Sequence, residues 1–152
     1  MTKIEELERI METEVEVGES LLSLLARKQQ SIVGLQGELL SSLVEEEERL
    51  MKPLRDLEGE RVRLTAELAG VMPSPPSGPR QSVTILELVE VLPAVDAVRI
   101  SSMAQRLRTI VERILHQNAQ NRLLLQRSLR FVQETLRFVT DDHTRTLVDQ
   151  RV

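Results

Sequence analysis

The chain has 152 residues, of which 41% are hydrophobic, 29% charged and 1% aromatic, and its net charge is −4. This length suggests one domain, and the abundance of Leu, Glu and Arg is typical of long helices or coiled coils. The sequence contains no Cys, which excludes disulfides, thiol nucleophiles and Cys-based zinc sites and fits a reducing compartment.

The sequence shows no targeting or membrane segment. Its first eight residues, MTKIEELE, lack the basic-then-apolar order of a signal peptide. No stretch reaches the ~18 uncharged apolar residues of a membrane span, because acidic residues interrupt the most apolar run, residues 83–98. We therefore expect a cytoplasmic protein without stable membrane insertion.

The charge is unevenly distributed. Residues 1–72 carry 9 Lys and Arg against 16 Asp and Glu, a net charge of −7, whereas residues 73–152 carry 11 Arg against 8 Asp and Glu, a net charge of +3. Two such halves would attract each other, or the second half would attract an acidic partner. Nucleic acid is not favoured as a partner, because the basic half has only two aromatic residues and no recognised binding motif.

The first arm is predicted to be helical over residues 2–71. Thr2 followed by Glu5 forms a capping-box pattern, after which apolar residues recur at helical spacing. Gly34 and Gly37 predict either a kink or a short break. Pro53 should bend the helix or mark the start of a new one, since it cannot donate an intrahelical hydrogen bond.

A Pro-rich segment, residues 72–81, then predicts an extended linker between two helical arms. Thr84 and Glu87 form a second capping box that opens a short helix over residues 84–92. A long helix is predicted over residues 94–140, because no Gly or Pro interrupts it. Residues 141–152 lose the apolar pattern, and we expect a mobile tail there.

The length of this last helix determines the predicted shape. A continuous helix over residues 94–140 would be ~70 Å long, whereas a compact domain of this size has a radius of gyration of only ~15 Å. The predicted fold is therefore all-α: an elongated antiparallel helical hairpin or thin bundle, resembling a coiled coil. Such a rod exposes long side faces to partners.

The C-terminal helix carries two neighbouring apolar stripes. One contains Leu124, Phe131 and Phe138, and the two Phe are the only aromatic residues of the chain. The other comprises Asn121, Leu125, Ser128, Val132, Leu136 and Val139. Together they cover about half of the circumference, more than the ~100° that one helix neighbour requires. The surface is therefore either core or a docking face, and its Asn and Ser residues either fix the register of the helices or bind an incoming backbone.

The sequence offers little catalytic or metal chemistry. Glu112 and His116 lie four residues apart, but a di-iron bundle needs further carboxylates and a second Glu/His element. An exposed His116 is the better interpretation. Asp141, Asp142 and His143 could hold a metal in isolation, but they lie in the predicted tail. No nucleophile, zinc-protease or phosphate-loop motif is present, so we expect neither an enzyme nor a bound cofactor.

Several stretches resemble the FlgN family of flagellar export chaperones. They are NAQNRLLLQRSLRFV at residues 118–132, LLSLLARKQ at 21–29, EEEERL at 45–50, LEGER at 57–61 and TILELVEVLP at 84–93. The resemblance covers about residues 15–140. The chain departs from the family pattern in having no Tyr, so a gate contact through an aromatic hydroxyl is absent or replaced, and in its tail after Thr140.

The resemblance implies a cytoplasmic chaperone for hook–filament junction proteins, the hook-associated proteins of the flagellum. It would bind their C-terminal segments, prevent premature assembly and deliver them to the gate and ATPase components of the flagellar type III secretion apparatus. The C-terminal helix would hold the substrate through Asn121, Leu124, Leu125, Ser128, Phe131, Val132, Thr135 and Phe138.

Two other functions use the same apolar face. A structural coiled-coil or scaffold protein would form a homo-oligomer through it. A membrane-surface helix would need Arg on its polar side, but the low aromatic content and the acidic first arm disfavour that function. If the chaperone hypothesis holds, Phe131 and Phe138 anchor an amphipathic segment of the substrate.

Overall fold

The computed structural model describes residues 1–70 and 84–149, with side chains described as far as Asp141. This part of the chain contains no strand and has four helices: α1 (Lys3–Val33), α2 (Gly37–Leu68), α3 (Ile85–Val91) and α4 (Ala94–Asp149). The predicted all-α, elongated fold is confirmed. The predicted linker, residues 72–81, lies outside the described residues.

The antiparallel hairpin is formed by α1 and α2. Ion pairs join residues from opposite ends of the two helices: Lys28 Nζ lies 2.8 Å from Glu47 Oε2, and Arg61 Nε lies 2.9 Å from Glu14 Oε2. The predicted first arm is thus folded back on itself, with the chain reversing at residues 34–36. Pro53 lies inside α2, which continues through it.

The long helix α4 lies parallel to α1. Arg99 Nη2 is 2.7 Å from Glu8 Oε2 near the start of both helices, and Asn121 Nδ2 is 2.9 Å from the carbonyl oxygen of Leu25 further along both. Among the described residues, the Cα atoms of α2 and α4 do not come within 8 Å of each other. The middle helix of the rod is therefore α1, with α2 on one side and α4 on the other.

Both predicted capping boxes form. Glu5 donates its backbone N–H to Thr2 Oγ1 over 3.2 Å, and Thr2 donates its own to Glu5 Oε2 over 2.9 Å. Thr84 and Glu87 exchange the corresponding bonds over 3.3 and 3.2 Å. Each box satisfies backbone donors that the first turn of a helix leaves unpaired, and so fixes where α1 and α3 begin.

The four helices meet in one apolar cluster near the start of α1. Side chains from all of them are buried there: Leu7, Ile10, Met11, Leu64, Leu88 and Ile100. The short helix α3 packs on α4 and on the end of α2. This cluster anchors one end of the rod, whereas the other end consists of the turn between α1 and α2 and the free length of α4.

Gly18 allows α1 and α4 to approach closely. A Cβ atom at this position would lie 2.6 Å from Ile110 Cγ2, closer than real Cβ contacts. Because Ile110 is buried, it cannot turn away freely. The absence of a side chain at Gly18 therefore sets the separation of the two helices.

Helix α4 is much longer than its neighbour. Its 56 residues span ~84 Å, whereas the 31 residues of α1 span ~46 Å. The predicted end at residue 140 is wrong, since the helix continues to Asp149. No Gly or Pro occurs in residues 141–149, so the backbone propagates as helix without an apolar pattern. The predicted tail also includes residues 150–152, which lie outside the described residues.

Candidate partner-binding surface

The candidate site is the part of α4 that extends beyond α1. The contacts of Gly18 with Ile110 and of Leu25 with Asn121 give the register of the parallel pair. Carried to Val33, where α1 ends, this register reaches about residues 125–129 of α4. From Leu129 to Asp141 every side chain is exposed. We call residues 129–149 the overhang.

The overhang exposes large apolar side chains. Phe131 is 61% exposed and Phe138 is 73% exposed, so the only aromatic residues of the chain face solvent. As far as Asp141, where the described side chains end, the other exposed large apolar residues are Leu129, Val132, Leu136 and Val139. Isolated exposed apolar residues are common, but a contiguous patch of this kind marks an interaction surface.

This patch continues the face by which α4 packs on α1. Ile110 and Asn121 are buried against α1, and Ser128 is half-buried. Counting on in steps of three and four from Ser128 leads to Val132, Thr135 and Val139. The same stripe is thus covered by α1 along the body of the rod and is exposed beyond its end.

Asn121 does not belong to the exposed surface, contrary to the sequence prediction. It is 3% exposed, donates to the carbonyl oxygen of Leu25 over 2.9 Å and accepts from Gln117 Nε2 over 3.1 Å. Gln117 Nε2 also donates to Gln29 Oε1 over 3.1 Å. This network joins α1 to α4, which fits the register-fixing role, one of the two roles that the sequence left open for Asn121.

The exposure of the remaining predicted residues increases along α4. Leu124 and Ser128 are half-buried beside the end of α1, and the Leu125 side chain is 36% exposed. Phe131, Val132, Thr135 and Phe138 are fully on the exposed side. The Thr135 hydroxyl donates to the carbonyl oxygen of Phe131 over 2.9 Å, which leaves its methyl group in the apolar stripe. The prediction omitted Leu129, Leu136 and Val139, although Leu136 and Val139 lie on a recognised stripe.

The charge around the patch is positive. Residues 122–141 carry four Arg against Glu134 and Asp141, a net charge of +2. Arg130 and Arg137 each precede a Phe by one residue, which places both on the same edge of the stripe. The surface therefore suits an apolar partner face with acidic residues along one side.

The buried ion pair of the rod lies away from this surface. Glu14 is 4% exposed and receives two hydrogen bonds from Arg61 Nε, over 2.9 and 3.1 Å. Burial raises the pKa of the Glu14 carboxyl above its usual 4.5, and the charge of Arg61 only partly opposes this increase. The pair joins α1 to α2, so its contribution is structural.

The described part of the chain contains no cluster of metal-ligating side chains. His116 lines an open groove between α1 and α4, together with Leu22, Arg113 and Glu112. Within residues 1–70 and 84–141, three or more His, Asp or Glu side chains nowhere converge in a way that could hold an ion. Among the described helices, none is both long and apolar enough to cross a bilayer.

Comparison with known proteins identifies the family. The family model described as FlgN protein matches residues 1–148, essentially the whole chain. No curated protein and no solved structure matches the chain significantly. The long projecting helix and its apolar face are thus features of a protein that belongs to the FlgN family, a family of flagellar export chaperones.

Proposed function

We propose that this protein is a cytoplasmic chaperone that binds the C-terminal segments of hook–filament junction proteins on the overhang. Binding there prevents premature assembly of these subunits, and the complex carries them to the gate and ATPase components of the flagellar export apparatus. The observation that carries the proposal is the exposure of Phe131 and Phe138 on the part of α4 that extends beyond α1, the long helix that packs against it among the described residues.

The overhang is suited to reversible binding of a partner. Most of the stability of a protein helix comes from tertiary packing of its apolar face rather than from helix propensity, so covering the apolar face of the overhang stabilises both the helix and the complex. An amphipathic segment lying along such a face is a common mode of peptide recognition. Along the body of the rod, α1 covers the apolar stripe of α4. On the overhang, the substrate segment would cover the same stripe.

The two Phe can supply a large part of the affinity. Full burial of a Phe contributes ~1.5–3 kcal/mol, and both side chains are more than half exposed in the free chain. Together they would contribute ~2–4 kcal/mol on burial. A micromolar complex totals ~8 kcal/mol, so losing both anchors should weaken binding at least ~30-fold.

The double variant Phe131→Ala/Phe138→Ala tests this proposal. Its affinity for the C-terminal peptides of the same organism's junction proteins would be measured by isothermal titration calorimetry, and its stability by urea unfolding. We expect strongly reduced affinity with nearly unchanged stability, because both side chains are exposed. A parallel loss of affinity and stability would show that the stripe is core and would contradict the proposal.

Leu115→Ala is the matched control. Leu115 is 63% exposed on the same helix, but the helical repeat places it on the side away from α1. This variant should bind the peptides as tightly as the unaltered chain. If the unaltered chain binds no junction protein and forms a fixed oligomer that the double Phe variant dissociates, the structural coiled-coil function is favoured instead.

A further inference from the structure

The turn between α1 and α2 exposes an unusual set of apolar side chains. Val33 is 68% exposed and Leu35 is 62% exposed, and Leu39 in the first turn of α2 is also exposed. Turns normally present Gly, Asn, Asp and other polar residues to solvent. We call Val33, Leu35 and Leu39 the hairpin tip.

Leu35 adopts a backbone conformation that does not suit its side chain. Its φ is 53°, in the left-handed region, which Gly and to a lesser extent Asn adopt readily and a branched apolar residue does not. The backbone N–H groups of Leu35 and Gln36 donate to the carbonyl oxygens of Ile32 and Ser31 over 3.2 and 2.9 Å, so the left-handed conformation ends α1 in a turn whose usual residue at this position is glycine. The Leu35 side chain itself is 62% exposed. Strain retained at an exposed position points to a function for the side chain.

The hairpin tip lies where the overhang begins. The register of α1 against α4 brings Val33 level with about residues 125–129 of α4, and every side chain from Leu129 to Asp141 is exposed. The apolar tip therefore lies level with the start of the apolar face of the overhang, at the point where α1 ceases to cover that face.

We infer that the hairpin tip is the second half of the substrate site: one end of the junction protein's amphipathic helix abuts the tip while its length lies on the overhang, in line with α1. This inference rests on the proposed function. The 21 residues from 129 to 149 give room for a helix of ~30 Å. The tip fixes where along α4 the substrate segment stops.

The packing of α1 on α4 shows what such a segment looks like. The part of α4 below the overhang accepts a helix with an apolar stripe and acidic residues, and Glu8 of α1 pairs with Arg99 of α4 over 2.7 Å. Arg130 and Arg137 offer the same charge along the overhang. The partner is therefore an amphipathic helix of about 20 residues with an acidic edge.

The variant Leu35→Gly separates binding from folding. Glycine relieves the left-handed strain, so we expect a urea midpoint equal to or above that of the unaltered chain. The affinity for the junction-protein C-terminal peptides should nevertheless fall about tenfold, since the contact of a large apolar side chain is lost. Val33→Ser/Leu39→Ser should weaken binding in the same way without altering the backbone at residue 35.

Leu86→Ala is the control for the hairpin tip, because Leu86 is 65% exposed on α3, at the opposite end of the rod. It should leave peptide affinity unchanged. Unchanged affinity in Leu35→Gly and in the Val33/Leu39 variant, with tight binding by the unaltered chain, would overturn the inference and leave the proposed function intact. A dimer of the free chain that Leu35→Gly dissociates would assign the tip to a second copy and also overturn it. If the unaltered chain binds no junction-protein peptide, both the proposed function and this inference are refuted.

Discussion

Replacing Gly18 with alanine tests the central packing contact of the rod. In an ordinary helix interior the change stabilises by ~1 kcal/mol, because glycine has the poorer helix propensity. At Gly18 the new Cβ would lie 2.6 Å from Ile110 Cγ2, although ordinary contacts begin near 3.4 Å. Helices α1 and α4 must move apart along their shared interface.

The expected magnitude follows from the opposing contributions. Overpacking a well-packed site costs ~1–3 kcal/mol, which offsets or exceeds the gain in helix propensity. Gly59 provides the matched control, because it also lies inside a helix but a Cβ there would meet nothing within 4 Å. We expect Gly59→Ala to be stabilised by ~1 kcal/mol and Gly18→Ala to be ~1–3 kcal/mol less stable than Gly59→Ala.

Urea unfolding followed by circular dichroism at 222 nm measures both variants. A third measurement isolates the contact: in an Ile110→Ala background the clashing atom is gone, so Gly18→Ala should regain most of the ~1 kcal/mol of propensity. Equal stabilisation by Gly18→Ala and Gly59→Ala in the unaltered background would refute the close approach of α1 and α4.

Two further predictions concern buried polar groups. Because burial raises the pKa of Glu14 above 4.5 in the folded chain, the folded state takes up a proton before the unfolded state as pH falls. The free energy of unfolding of the unaltered chain, relative to that of Glu14→Gln, should therefore increase as the pH is lowered from 7 to about 4.5. Urea unfolding at both pH values measures this difference, and a difference that stays constant or decreases on acidification would contradict the prediction. Asn121→Ala should lower stability by ~1–3 kcal/mol, because it removes the bond to Leu25. Under conditions in which Asn121→Ala remains folded, a calorimetric titration should show unchanged peptide affinity. A loss of affinity without a loss of stability would indicate that Asn121 belongs to the binding surface.

Local sequence patterns predicted the elements well. The two capping boxes at Thr2 and Thr84 form, since they depend on residues three positions apart. The apolar repeat predicted a long last helix, and the length argument predicted an elongated molecule. These features follow from short-range geometry and chain length, which a single sequence contains in full.

The relation between the helices could not be predicted in the same way. Gly34 and Gly37 allowed a kink or a break, and the reversal depends on Leu35 adopting a left-handed conformation that its residue type does not favour. The parallel packing of α4 on α1 depends on Gly18 and on the Asn121 network, which are contacts between residues far apart in the chain.

The exposed surface was only partly predictable for the same reason. A helical stripe is identical in sequence whether another helix covers it or solvent does. Asn121 and Phe131 belong to one continuous apolar region of α4, yet the first is buried and the second exposed. Among the described residues, the difference arises because α1 ends level with about residues 125–129 of α4, and that register is set by tertiary contacts.

Hydrogen exchange followed by mass spectrometry tests the central claim most directly. The free chain and its mixture with a junction protein would be compared along α4. We predict fast exchange of the backbone amides of residues 131–149 in the free chain, because among the described residues every side chain from Leu129 to Asp141 is exposed, and strong slowing on binding. Residues 100–121 should exchange slowly in both states. Binding that leaves the overhang amides unchanged and protects another part of the chain would contradict the account.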